Sequence, residues 1–474
     1  MQLEDGQAAT FAKDLSEALA SALEPRNGSL GRIERYLHGN HDLPYTPRGA
    51  TREYRSIARK SITNWLPLIS GTYSEVLFVD GFRAAKQTDN ISGWDSWVAN
   101  GMEARQSIAI QGALDYGHSY VRVLPGEGDL ANLKPLHPTR VWTVYEDEDD
   151  AYPALALFRK GKTANGKTQI YELYDDSTVY TVLLDENGRW SQSAAAAHGM
   201  GVVPFVRFRD RLDGYHRGII EPLITLQDRI NEAVFSLLIA LQYASFRQRW
   251  ATGLSIPTKD ELGPDGQPTG KKIPVEPFEA AVNRLWVSDN KDAKFGEFGQ
   301  TDTKGHLGAY DSAVRTMAAI AQISPNVLLG NLVNLSADAL AAAEATTQRK
   351  ASSFETIFGQ SWNLVFRLIH VATGNDPDTF DEAAAPRWRD SEARSMSQTV
   401  DALGKMVQML QVPYEAAWAM IPGITDGDLE SWRTMRASGG DGLSVIADVL
   451  TRTANPALPN AGTPAPPSPA EPAA

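Results

Sequence analysis

Between residues 221 and 247, apolar side chains recur at steps of three and four: Leu223, Leu226, Ile230, Val234, Leu237, Leu241 and Ala244. That spacing lines one side of an α-helix. Phe235, Leu238 and Ile239 fill a second side, so the helix needs two packing partners. At about 1.5 Å per residue it spans roughly 40 Å. Either it runs through a large bundle or a neighbouring subunit covers its second face. A membrane span does not fit, because the uncharged run 233–246 is short and contains Ser236, Gln242 and Ser245.

The same reading places other elements along the chain. After a polar N-terminal segment, Ile33, Tyr36 and Leu37 precede Gly39 as a short helix, and Tyr54, Ile57, Ile62 and Trp65 give a second helix that Pro67 should kink or interrupt. Trp94, Trp97, Val98 and Met102 open a helical region ending near Tyr116 and Gly117. The period then changes. Residues 119–124, 141–145 and 202–208 read as strands, and 154–190 as a meander whose turns are Asn165-Gly166 and Asn187-Gly188.

Beyond the long helix, residues 252–303 shift to Gly, Pro, Lys and Asp with short apolar pieces, an inserted loop-and-strand element. Leu307, Tyr310, Val314, Met317 and Ala321 make the next helix, which ends before Ser324-Pro325. An apolar, asparagine-rich stretch at 326–335 leads to Ser336, an N-cap for a helix running to Thr373 with Phe354, Phe358, Trp362, Val365 and Ile369 on one face. Met396, Val400, Leu403, Val407 and Leu410 mark a further helix, and Thr425 to Asp428 resembles a capping box. The last 20 residues hold seven prolines and much alanine, which predicts a flexible tail.

Composition narrows the class. With 474 residues and 42% hydrophobic content the chain buries a sizeable core. Its net charge of −13 argues against gripping nucleic acid with the whole surface, although a local basic patch is compatible with it. The absence of cysteine excludes disulfides, thiolate metal sites and cysteine nucleophiles, and fits a reducing cytoplasm. The first ten residues lack a basic region followed by an apolar stretch, so no secretion signal is visible.

Candidate chemistry is sparse. Gly161-Lys162-Thr163-Ala164-Asn165-Gly166-Lys167-Thr168 satisfies the phosphate-loop pattern, and Val182-Leu183-Leu184-Asp185-Glu186 imitates a magnesium-binding strand. A phosphate loop needs a helix to begin at its lysine so that backbone N–H groups point at the phosphates. Here residues 169–174 are strand-like and Asn165-Gly166 is a hairpin turn. The run 146–150 is read as a solvated acidic turn, lacking the glycine and distant glutamate of a calcium loop, and His38 and His41 as loop residues. No catalytic constellation, metal site or cofactor site is expected.

Several segments, in order, resemble the portal proteins of tailed bacteriophages, the siphophage type with wing, stem, clip and crown. They are Asn64-Trp65; Leu77-Phe78-Val79-Asp80-Gly81-Phe82; residues 113–121; His137-Pro138; Val203-Pro204-Phe205; Glu221-Pro222-Leu223 with Gln227-Asp228 and Asn231; Arg247-Gln248-Arg249-Trp250; Ile323-Ser324-Pro325; and Ser336-Ala337-Asp338-Ala339-Leu340. The resemblance implies an α+β portal fold, mainly helical, with long stem and wing helices, a β-rich wing region and a small clip insertion. It divides the chain into an N-terminal segment (1–26), wing (27–218), first stem helix (219–247), clip (248–302), second stem helix (303–323), tunnel loop (324–335), long wing helix (336–374), crown (375–452) and tail (453–474). Leu226, Ile230, Val234, Leu237, Leu241, Tyr310, Val314 and Met317 become stem and inter-subunit residues. Asn326, Leu328, Leu329, Asn331, Leu332 and Asn334 line the DNA channel, and Lys271, Lys272 and Trp286 dock clip partners.

The resemblance further implies a structural, non-enzymatic virion protein assembled in the host cytoplasm: a ring of twelve subunits at the unique capsid vertex. Double-stranded DNA passes through it during packaging and ejection. Its partners are the terminase large subunit, the major capsid and scaffold proteins and the head-tail connector, with no membrane. The rival readings are a nucleotide-driven packaging ATPase resting on Gly161 to Thr168, and a scaffold-like capsid factor that never forms a channel. In the conduit reading the tunnel-loop asparagines offer neutral polar contacts to phosphates. Replacing Asn331 and Asn334 by glutamate is then expected to reduce DNA packaging and retention in a packaging assay; unchanged packaging would remove that assignment.

Overall fold

The computed structural model describes residues 3, 6–49, 51–84, 91, 93–213, 216–245, 249–253, 258–262, 267–274, 292, 294–297, 303–330, 337–389, 396–418, 420–421, 424 and 426–438. The chain divides into two units, Met1–Arg389 and Asp390–Ala474.

The first unit starts with helices α1 (Ala8–Ala22), α2 (Ser29–Leu37), α3 (Arg52–Lys60) and α4 (Leu66–Val76). The stretch read as a polar N-terminal segment is therefore a helix in part. Ala8, Ala12 and Leu15 fall on one face and are buried. Pro67 does not interrupt a helix: the chain breaks earlier, after Lys60, and Pro67 sits in the first turn of α4, where its missing N–H costs no helical hydrogen bond. Strand β1 (Val79–Arg83) follows, then α5 (Trp94–Ala99) and α6 (Met102–Tyr116). The helical region that starts at Trp94 splits at Gly101, whose φ of 61° is left-handed.

Eight strands come next: β2 (His118–Pro125), β3 (Ala131–Leu136), β4 (Val141–Val144), β5 (Leu155–Lys162), β6 (Gln169–Tyr174), β7 (Thr178–Leu184), β8 (Trp190–Ala197) and β9 (Phe205–Arg209). They form two antiparallel sheets, ordered β3-β2-β9 and β4-β5-β6-β7-β8. The larger is the predicted meander extended by β4 and β8. One of its faces packs on α1 through Leu157, Leu173, Tyr180 and Val182, and the other meets the smaller sheet through Phe158, Tyr174 and Phe205.

Helix α7 (Ile224–Ser245) leads into the inserted element, where β10 (Arg249–Thr252) pairs with β13 (Lys294–Glu297) and β11 (Thr258–Leu262) pairs with β12 (Pro268–Pro274). The chain continues through α8 (Lys304–Ala321), α9 (Pro325–Leu329), α10 (Ala337–Ala372) and β14 (Ala385–Trp388), which pairs back on β1. The second unit holds α11 (Met396–Leu410), α12 (Tyr414–Trp418) and α13 (Asp426–Ser438), the last two joined by an edge-to-face Trp418–Trp432 contact and an Arg436–Glu415 ion pair at 3.0 Å. The proline-rich tail and the Ser336 and Thr425 caps lie outside the described residues.

The main core of the first unit is aromatic. Phe82 stacks on Phe366 with centroids 3.9 Å apart, and Trp362 meets Phe208 at 4.6 Å and Trp97 at 4.9 Å, both edge-on. These rings come from β1, α5, β9 and α10, so residues far apart in sequence share one cluster. Side chains close the sheet edges nearby. Gln106 exchanges two hydrogen bonds with the backbone of Val79, and Ser96 and Asn100 take the N–H groups of Ala131 and Leu133 at the outer edge of β3. Each such bond satisfies an edge group that would otherwise seek another strand. Trp362 is fully buried at the centre of the ring cluster. Trp362→Ala should destabilise the unit by about 3–5 kcal/mol, read by denaturant unfolding.

Candidate functional site

The site begins where α7 leaves the core. Its apolar positions grade from buried to bare: Leu223, Ile224, Leu226 and Ile230 are buried, Val234 and Leu237 half-buried, and Leu241 is 45% exposed. Helix α8 packs against α7 and runs the opposite gradient, with Leu307 at 48% exposure, Tyr310 half-buried, and Val314 and Met317 buried. β10 follows α7 and pairs antiparallel with β13, which lies shortly before α8. The chain therefore leaves and re-enters the helix pair at the bare end. Of the residues assigned to the stem, Leu226, Ile230, Val314 and Met317 sit in the chain's own core, while Val234, Leu237, Leu241 and Tyr310 keep area for another partner.

The buried end is fixed by a polar network. Gln227 and Asn231, one helical turn apart, are both fully buried. The Trp65 N–H donates to Gln227 Oε1 at 3.0 Å, and Gln227 Nε2 donates to the Thr63 carbonyl and to Asn231 Oδ1. Asn231 Oδ1 also accepts from the Thr63 N–H at 3.2 Å. The segment between α3 and α4 thus has its backbone groups answered by side chains of α7. Removing one partner would leave another buried and unpaired, at a cost of about 1–3 kcal/mol.

The network extends outward through His41. Its Nε2 lies 2.9 Å from the Tyr36 carbonyl, which can only accept, so Nε2 is the donor and Nδ1 accepts from Asn231 Nδ2 at 3.0 Å. The imidazole stacks on Tyr36, whose hydroxyl donates to Asp228 at 2.8 Å, and Arg35 pairs with Asp42 at 2.9 Å. Burial holds the His41 imidazole below its ordinary pKa, and burial lifts the Asp228 carboxyl above its own. His41 lies in a loop, as read from sequence, and is at the same time a buried link in the network.

At the far end of α8 the Tyr73 hydroxyl donates to the Ala321 and Gln322 carbonyls at 2.8 and 3.1 Å, capping the helix C-terminus. Ser324 then caps α9, so the first part of the stretch read as a tunnel loop is a short helix. Within it Asn326 and Leu329 are half-buried, Leu328 is buried and Val327 is 43% exposed. Asn331, Leu332, Asn334 and Trp286 lie outside the described residues, and Lys271 and Lys272 are exposed on β12.

The phosphate-loop pattern resolves into a hairpin. β5 ends at Lys162, the Thr163 N–H donates to the Thr168 carbonyl at 2.9 Å, and β6 begins at Gln169. Lys167 pairs with Glu186 at 3.4 Å on the next hairpin, and no helix starts there to direct N–H groups at a phosphate. Among the described residues, no three His, Asp or Glu side chains are grouped to hold a metal ion, and no helix is long and apolar enough to cross a membrane.

Comparison with known proteins shows what the chain is similar to. A family model described as "Phage portal protein, SPP1 Gp6-like" matches residues 27–439. The portal protein of Mycobacterium phage D29 is 24% identical over 346 residues, covering 69% of each chain. That of Mycobacterium phage L5 is 23% identical over 415 residues, covering 83% of this chain and 82% of the phage protein. Among solved structures, a chain in the neck of an empty GTA particle is 13% identical with a TM-score of 0.44, covering 78% of this chain and 96% of that one.

The network yields a pH prediction. The neutral imidazole of His41 is favoured in the folded state, so its contribution is complete above the unfolded histidine pKa of about 6.5 and is lost as pH falls below it. Other buried histidines add to the total, so the difference between wild type and His41→Gln isolates this one. Thermal unfolding should show wild type losing more Tm than His41→Gln between pH 7.5 and 5.5; equal losses would exclude the role.

Proposed function

Because the chain belongs to the SPP1 Gp6-like family of phage portal proteins, we propose that it forms a closed ring at the unique capsid vertex and conducts the genome during packaging and ejection. In this reading α7 and α8 are the stem, residues 248–302 the clip, 324–335 the loop facing DNA, 27–218 with α10 the wing, and 375–452 the crown. The role is structural and non-enzymatic. A separate terminase supplies the motor and docks on the clip, where the head-tail connector later binds; capsid and scaffold proteins meet the ring in the head.

The burial gradient along the helix pair carries the proposal. Leu241 and Leu307, at 45% and 48% exposure, lie at the bare end. A single copy leaves this surface wet, and each fully buried Leu or Ile side chain is worth about 1.5–3 kcal/mol. A head-to-tail neighbour around a closed rotation covers it in every copy, with no bare end left over. The family in turn supplies the conduit: the surface that the ring leaves on its axis faces the DNA.

The test is assembly of a doubly charged stem. Leu241→Asp with Leu307→Asp should convert rings to monomers in sedimentation velocity, because the lost apolar contact and the introduced charges repeat at every interface. Rings that persist at wild-type stability would place the subunit contact elsewhere.

A further inference from the structure

The chain is acidic overall, yet one place in the two-sheet region concentrates cations. Arg122 on β2 and Lys134 on β3 are direct cross-strand partners. Like charges placed directly opposite destabilise a strand pair. Both lean on Phe158 of the facing sheet, and so does Arg140: the Lys134 ammonium lies 5.0 Å from the ring centroid, the Arg140 guanidinium 5.1 Å and the Arg122 guanidinium 5.9 Å. Lys160, two residues along β5, is the fourth cation.

One carboxylate, Glu172, pairs with two of the four. Glu172 Oε1 accepts from Lys160 at 2.7 Å, and Glu172 Oε2 accepts from Arg122 at 3.0 Å and from the Tyr174 hydroxyl at 2.7 Å. Arg140 donates to the carbonyls of Arg159 and Lys160, which carry no charge. Lys134 has no hydrogen-bond or ion-pair partner among the described residues, and Arg122 Nε is buried without one. Burial and the neighbouring Arg122, Arg140 and Lys160 hold the Lys134 ammonium below the usual lysine range. A ring face under three cations offers modest compensation. The arrangement breaks a local rule of sheet stability and one carboxylate offsets it only in part, leaving Lys134 without an ion pair among the described residues, which is characteristic of a binding surface.

We propose that Arg122, Lys134, Arg140 and Lys160 form a phosphate-binding site through which the protein holds double-stranded DNA by its backbone, away from the channel. None of the four lies on α7, α8 or the stretch after α8. The choice of DNA rests on the portal reading, which brings a duplex to the assembly. It also rests on charge density: a duplex presents a charge about every 1.7 Å of its axis and meets the same patch on successive copies of a ring.

Nicked circular plasmid DNA is the probe, because a closed circle cannot thread a channel. Filter binding to full-length protein is measured between 50 and 200 mM salt for wild type and for Lys134→Gln combined with Lys160→Gln, which leaves the hydrogen-bonded arginines in place. The double variant should bind roughly tenfold more weakly at low salt, with the slope of log affinity against log salt smaller by about 2. Equal affinity and slope would overturn the site. Tighter binding of poly-glutamate than of the circle, lost in the same variant, would overturn it in favour of an acidic protein partner. Electron microscopy of the same samples reads ring formation separately: rings with an unchanged salt slope fail the site alone, whereas absence of rings fails the portal reading.

Discussion

Gln227 and Asn231 fasten a long apolar helix to a folded core at one end only. Their side chains answer the backbone of Thr63 and Trp65, and through His41 they reach Tyr36 on α2. Hydrophobic contact alone would hold α7 in place without fixing its rotation or its height, because Leu, Ile and Val faces slide at little cost. Directional bonds in a buried site allow one register. The consequence is mechanical. The α7–α8 pair leaves the core at a set angle, and its bare apolar end is presented in the same way by every copy.

That rigidity depends in turn on the aromatic cluster behind it. Trp362 and Phe366 on α10 bind β1, α5 and β9 into one mass, and β14 closes the arrangement by pairing with β1. The edges of β1 and β3 are capped by Gln106, Ser96 and Asn100, so these strands are barred from stray pairing while the apolar end of the α7–α8 pair stays exposed. Where chain segments cross, glycine makes room: a Cβ on Gly218 would lie 2.6 Å from the Asp115 carbonyl oxygen, and one on Gly117 2.7 Å from the Arg217 N–H nitrogen. This crossing joins the end of α6 to the approach to α7, where the Ile219 N–H donates to the Leu114 carbonyl.

Periodicity made the long elements legible. The three-four spacing from Leu223 to Ala244 and the face from Phe354 to Ile369 correspond to α7 and α10, and Asn165-Gly166 and Asn187-Gly188 are turns of the meander. Helix α1 was missed because its buried face is mostly alanine, which carries little hydrophobic signal, and β8 because Ser, Gln and Ala dominate it. Pro67 was read as a breaker, although proline is equally at home in a first helical turn. The polar network left a trace, since Trp65, Gln227 and Asn231 were among the residues carrying the family resemblance. Their pairing could not be read, because it joins positions more than 160 residues apart. The Arg122–Lys134 juxtaposition was hidden for the same reason: it depends on the register of β2 against β3.

The conduit account stands or falls on assembly. Electron-microscopy class averages of the purified full-length protein, without nucleotide, should show closed rings with a central hole. Compact monomers under the same conditions would contradict it, since the apolar surface of α7 and α8 would then have no neighbour to cover it.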